Sequence, residues 1–217
     1  MNSQHEPQKI EIQGWTFRIQ PSSDPSPDQR VMLLLHGHQG NENAMWILTK
    51  PISNNYTLIA PRAPVKTGED QYSWHEIDPQ WPSLQTYADL AGQLLNRVDD
   101  WLEDHKLTIQ YYDVMGFSQG AVMAYALAAL YPQRIGKVAA LAGFIPQTWV
   151  HELDGQSFSG KSFFIAHGTR DDIIPIKKAQ QAADWLEDNG AQVTFCGADI
   201  GHKLSANCFN GLGEFFD

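Results

Sequence analysis

From Val31 onward, short unbroken apolar runs alternate with stretches whose apolar positions recur at helical spacing. The runs are VMLLLHG (31–37), YTLIA (56–60), YYDVMGF (111–117), KVAALAG (137–143), SFFIAHG (162–168) and QVTFCGA (192–198). A strand covered on both faces reads as continuous rather than alternating, the pattern expected of a parallel sheet with helices on each side. Between the runs, Leu90, Leu94, Leu95, Val98, Trp101 and Leu102 share one face of a helix that Ser83 can cap and that extends to His105. Further helices are expected over 119–131, 176–189 and 203–216. Ahead of this series, KIEIQGWTFRI (9–19) alternates apolar with polar, as a half-exposed edge strand does, and PSSDPSPDQ (21–29) is a turn-rich connector. The repeated order of strand and helix predicts an α/β architecture: a mostly parallel central sheet with crossover helices on both faces. No internal repeat or low-complexity segment competes with it. One domain over 1–217 is expected, with 1–30 supplying the edge strand and connector.

Composition narrows the function classes. The 217 residues are 42% hydrophobic and carry a formal net charge of −10 with no basic run, so nucleic acid and anionic membranes have no electrostatic footprint to bind. No apolar run approaches the ~20 residues that cross a bilayer, which argues against membrane insertion. The first residues, MNSQHEPQKIEIQG, lack the charged start and apolar core of a signal peptide. Cys196 and Cys208 are too few for a disulfide framework. A soluble cytoplasmic protein acting on a small molecule is the expectation, with a homodimer left open.

The candidate chemistry begins at Gly116-Phe117-Ser118-Gln119-Gly120, which matches G-x-S-x-G between an apolar strand and an Ala-rich helix. A sharp strand-to-helix turn strains its central residue, and side chains two positions away on either side would collide with it. Glycine removes the collision. Ser118 would then project from the carboxyl edge of the sheet at a helix N-terminus, where free N–H groups favour developing negative charge. The competing reading is that Ser118 merely caps the helix.

A serine hydroxyl attacks only if a base takes its proton, and the base is usually a histidine steered by a carboxylate. With this turn, the order along the chain is serine, acid, histidine. Of the eight histidines, His151, His167 and His202 follow Ser118. His151 lies in a polar loop, and a base at His167 would precede its own acid. His202, on a loop after the 192–198 strand, also follows a carboxylate set just beyond a buried strand. For the acid, HGTRDDIIP offers Asp171, nearer the strand end, with Asp172 as fallback; either could instead cap the helix that begins near Pro175. Oxyanion donors would be backbone N–H groups: that of Gln119 and one from the loop His36-Gly37-His38-Gln39-Gly40. A metal site from His36, His38 and His202 is the weaker alternative, since that turn lacks a carboxylate-rich continuation.

Together LLLHGHQGNEN, APRAP followed by YSWHEID, GFSQGAVMAYALA, HGTRDDIIP and GADIGHKLS resemble the phospholipase/carboxylesterase family of α/β-hydrolases, small lidless serine esterases that include acyl-protein thioesterases. The resemblance spans Val31 to Phe216. It implies an α/β-hydrolase fold without a sizeable lid domain, Ser118 as nucleophile, Asp171 as acid and His202 as base. It also implies His38 and Gln119 as backbone oxyanion donors, an ester or acyl substrate, and no cofactor or metal. Two departures stand out: Gln39 where many members have glycine, and His75-Glu76 in place of the usual aromatic–acid pair after the tryptophan. Phe144 and Ile145 are expected to line the substrate pocket, with the long Pro61–Pro82 segment, carrying Tyr72, Trp74 and Trp81, as the other wall; the alternative is that these aromatics only anchor the loop. The remaining alternatives are a peptidase or lactone hydrolase on the same scaffold, and a binding module that retains the fold without catalysis.

Overall fold

Along the strand Arg30–Leu35, Val31, Leu33 and Leu35 face one apolar core while Met32 and Leu34 face a second. The unbroken run thus splits its side chains between two buried faces, as its continuity requires. The computed structural model describes residues 6–23, 29–76 and 81–217; most of the connector and residues 77–80 lie outside them.

In chain order the elements are β1 (Gln8–Ile12), β2 (Trp15–Gln20), β3 (Arg30–Leu35), β4 (Tyr56–Pro61), β5 (Val65–Gly68), β6 (Gln71–Ser73), α1 (Leu84–Asp104), β7 (Tyr112–Phe117), α2 (Gln119–Leu130), β8 (Ile135–Leu141), α3 (Gln147–Glu152), β9 (Ser162–Gly168), α4 (Ile176–Asp188), β10 (Gln192–Ala198) and α5 (Ala206–Phe216). An eight-stranded sheet runs β1-β2-β4-β3-β7-β8-β9-β10. Within this sheet, among the described residues, only β1–β2 and β2–β4 pair antiparallel, and along the order β4-β3-β7-β8-β9-β10 every pair is parallel; β5 and β6 form a separate antiparallel pair. This is the α/β-hydrolase architecture.

Helices cover both faces. On one side α1 buries Leu94, Leu95, Val98 and Leu102, α4 buries Ala179, Ala182, Ala183 and Leu186, and α2 is buried along Gln119–Ala129. A helix apolar on every side must be enclosed, and the alanines of α2 let it lie close to the sheet. On the other side α5 packs Leu212 and Phe216 against Phe164 and Ala166 of β9. The connection between β8 and β9 carries only the short α3, so nothing of lid size sits there.

Several details depart from the sequence pattern. The 9–19 segment folds back as the β1–β2 hairpin through Gln13 and Gly14, both at positive φ. The β5–β6 hairpin and α3 carry too few residues to register as periodic patterns. The last helix starts at Ala206 rather than 203, because Ser205 caps it by accepting from Cys208 N–H at 3.1 Å. β10 is an exposed edge strand, not a doubly covered one. Two cysteines are too few for a framework, yet they form one bridge: Cys196 on β10 and Cys208 on α5 are disulfide-bonded, Cα atoms 5.7 Å apart. The packing of α5 on the sheet brings them together.

Candidate active site

β7 ends at Phe117 and α2 begins at Gln119, leaving Ser118 alone in the turn at φ 53°, ψ −117°. A non-glycine residue held there costs about 1–3 kcal/mol, which the surroundings must supply. The backbone is tied at both ends: Ser118 N–H donates to Leu141 O at 2.8 Å, and Ser118 O accepts from Ala121 N–H at 2.9 Å. The flanking glycines are sterically required. A Cβ on Gly116 would lie 2.1 Å from Gly120 O, and one on Gly120 would lie 2.0 Å from Leu35 O. The Ser118 side chain makes no capping hydrogen bond to α2, which removes the capping explanation.

The two residues expected as acid and base meet. His202, on the loop between β10 and α5, has Nδ1 2.7 Å from Asp171 Oδ2. The other oxygen, Asp171 Oδ1, accepts from Ile173 N–H at 3.0 Å and Ile174 N–H at 2.9 Å. Burial opposes ionisation of Asp171, but the bonds from Ile174, His202 and Ile173 outweigh it and hold the carboxyl below its ordinary pKa. Asp172 is exposed, and α4 has no side-chain cap, so neither carboxylate caps that helix. His151 lies exposed on α3. Against Asp171 Oδ2 also lies His167 Nε2, at 3.2 Å.

The loop after β3 faces this pair. His36 is fully buried, its Nδ1–H donating to Gly37 O at 2.7 Å and its Nε2 accepting from Ala63 N–H at 3.0 Å. Burial drives its pKa down to about 4, against the Gly37 carbonyl, which favours the charged form. With both ring nitrogens engaged, His36 has none free for a metal, and the described residues contain no cluster able to hold one. Gln119 is the first residue of α2, where the N–H has no partner within the helix. Its side chain is locked: Oε1 accepts from Trp74 N–H at 3.0 Å and Nε2 donates to Ser73 Oγ at 2.9 Å. Trp74 Nε1–H in turn donates to His36 O at 2.7 Å. The segment after β6 therefore ties the two candidate oxyanion strands together.

A model of the phospholipase/carboxylesterase family matches residues 16–217. The chain belongs to this family. It is therefore a hydrolase of carboxylesterase type. Its relatives include acyl-protein thioesterase 1 of Mycosarcoma maydis, 25% identical over 199 residues covering 80% of this chain and 81% of that protein. A putative hydrolase, MhqD of Bacillus subtilis, is 24% identical over 178 residues covering 81% and 86%. The fold is shared with a carboxylesterase of Bacillus cereus, whose crystal structure covers 92% of each chain at 22% identity and a TM-score of 0.78.

In this family member Ser118 and His202 open onto one crevice of about 530 Å³, whose other walls include His38, Gly40, Met45, Ile47, Leu48, Phe117 and Ile173. Ile47 and Ile173 are 69% and 66% exposed, unusual for isoleucine and explained by their place at its mouth. The expected pocket residues fall elsewhere. Trp74 is buried as the anchor just described, and Phe144 and Ile145 line a separate cavity of about 100 Å³ beside Lys178 and Trp185. The wall of the Ser118–His202 crevice includes Ile47 and Leu48 of the short 3-10 turn Trp46–Leu48 and Ile173, neither segment having a periodic signal. Glu42 was also missed. Its buried carboxylate receives two 2.7 Å hydrogen bonds from Arg62 and lies 3.2 Å from Lys9 Nζ, while its carbonyl accepts from Trp46 Nε1–H at 2.7 Å. Burial would raise its pKa, but Arg62, its own backbone N–H and Lys9 bring it down to about 2. The signal lay in the quoted motifs, since Glu42 stands in HGHQGNEN and Arg62 in APRAP.

Proposed function

We propose that this enzyme is a serine hydrolase that cleaves carboxylic esters or thioesters through an acyl-enzyme on Ser118. His202 takes the Ser118 proton during attack and returns it to the leaving group, and Asp171 orients the imidazole and stabilises its cation. The backbone N–H groups of His38 and Gln119 receive the oxyanion, where the N-terminal end of α2 favours negative charge. Water then hydrolyses the acyl-enzyme by the same steps in reverse. The observation that carries this reading is the Asp171–His202 pair, bonded at 2.7 Å, opening onto the same crevice as the strained Ser118.

The acyl chain is assigned to the crevice along Met45, Ile47, Leu48 and Ile173, whose volume falls in the range of small-molecule sites. The thioester half of the proposal takes support from relatives that carry the name acyl-protein thioesterase. The cytoplasm is proposed as the place of action on the strength of the sequence. The Cys196–Cys208 bridge pulls the other way, because such bonds are rare in reducing compartments. Alkylation and mass spectrometry of the protein from whole cells decides between them.

The test is a panel of p-nitrophenyl esters, acyl thioesters, lactones and peptide amides against wild type and Ser118→Ala. Ester or thioester turnover should fall by roughly 10⁴ to 10⁶ in the variant with the melting temperature unchanged, and a fluorophosphonate should label Ser118. Undiminished turnover in Ser118→Ala would overturn the reading.

A further inference from the structure

His167 has no part in the proposed reaction, yet its side chain is fully buried beside it. It stands at the end of β9, on the same strand face as Phe163 and Ile165. Its Nε2 lies 2.7 Å from Ile174 O and 3.2 Å from Asp171 Oδ2. A carbonyl oxygen can only accept, so the proton sits on Nε2 and is donated to Ile174 O. Its Nδ1 is buried with no hydrogen-bond partner. A side chain that only filled space would be apolar, since an unpartnered buried nitrogen is costly. The polar ring therefore has its use on the Nε2 side.

That side spans the turn carrying Asp171. The carbonyl of Ile174 and the carboxylate of Asp171 come from opposite ends of the 171–174 turn, and Nε2–H donates to the carbonyl while the ring stands 3.2 Å from Asp171 Oδ2. The carboxylate is held at Oδ1 by the N–H groups of Ile173 and Ile174 and at Oδ2 by His202, and Ile174 is the residue whose carbonyl His167 ties down. We propose that His167 is a positioning residue, whose Nε2–H, donated to Ile174 O, braces the 171–174 turn that holds the Asp171 carboxylate and through it the direction in which His202 faces Ser118. This deepens the proposed function and rests on Asp171 and His202 acting in the reaction. The histidine thus acts on the rate and not on substrate capture, because it lies behind the carboxylate and lines no part of the crevice.

The experiment compares His167→Gln, His167→Asn and His167→Leu with wild type and with Asp171→Asn on one p-nitrophenyl ester, measuring kcat, KM and thermal unfolding. The glutamine amide reaches the Nε2 position, whereas asparagine is too short and leucine has no donor. Loss of orientation should lower kcat about 10- to 100-fold in the Leu and Asn variants with KM changed less than about threefold, while Gln stays within about threefold of wild type. Thermal scans set an assay temperature at which every variant is folded. The proposal is overturned if folded His167→Leu keeps wild-type kcat, or if folded His167→Gln loses as much kcat as His167→Leu. A wild-type rate in Asp171→Asn would instead remove the pair from the reaction, and the proposed function and this inference would fall together.

Discussion

Replacing Glu42 by glutamine tests how the loop after β3 is held. The side chain is 1% exposed, and Arg62 grips both its oxygens at 2.7 Å. The substitution keeps shape and removes one charge, leaving Arg62 half-buried against a neutral amide. Two routes give the magnitude. The pKa falls from 4.5 to about 2 on folding, and at about 1.4 kcal/mol per unit this corresponds to about 3 kcal/mol of stability. Breaking a buried ion pair by removing one partner costs about 3–5 kcal/mol, which agrees. At 2–4 °C per kcal/mol for a chain this long, the melting temperature should drop by about 6–12 °C. The sign of the pH dependence follows from the depressed folded pKa: the contribution is complete above pH 4.5 and is lost as pH falls from 4.5 towards 2. Calorimetry of both proteins at pH 7, 5, 4 and 3 should therefore show a gap that narrows on acidification. A loss under about 1 kcal/mol at pH 7, or a gap that stays constant down to pH 3, would refute the assignment of this carboxylate as a charged anchor.

Ile47→Ser, at a side chain 69% exposed, should leave stability within about 0.5 kcal/mol. It should also raise KM for long-chain esters several-fold while sparing acetyl esters, as steady-state assays across chain lengths will report. Cys208→Ser opens the bridge across a separation of 12 residues and should cost about 3 kcal/mol by the loop-entropy model, read as a lower urea midpoint. It should also lower turnover, since the bridged segment carries His202. Gly120→Ala drives a Cβ to within 2.0 Å of Leu35 O, so the turn must shift; more than about 3 kcal/mol of destabilisation and loss of fluorophosphonate labelling are expected, checked by calorimetry and gel fluorescence.

Hydrophobic order alone determined the layers of this protein. Continuous runs such as VMLLL and SFFIA could be satisfied only by strands covered on both faces, and the heptad-like faces of α1 and α4 by helices lying on them, so the parallel sheet was legible from Val31 onward. The Ser118 turn was equally legible, because its strain is local and the Gly116 clash lies within five consecutive residues, although Gly120 answers a clash with Leu35 O on β3. The Asp171–His202 pair was legible through chain order and resemblance, not through any physical signal joining residues 31 positions apart. What lay beyond reach depended on contacts between elements distant in the chain. The crevice wall at Met45, Ile47, Leu48 and Ile173 exists only once two aperiodic loops converge, and Trp74 became an anchor only because the segment after β6 folds over His36 and Gln119. The disulfide, the Glu42–Arg62 clamp and the His167–Ile174 bond belong with these. Periodicity reports which side of an element is buried, whereas which polar atoms meet there is fixed by packing to within a few tenths of an ångström, and only the tertiary structure sets that.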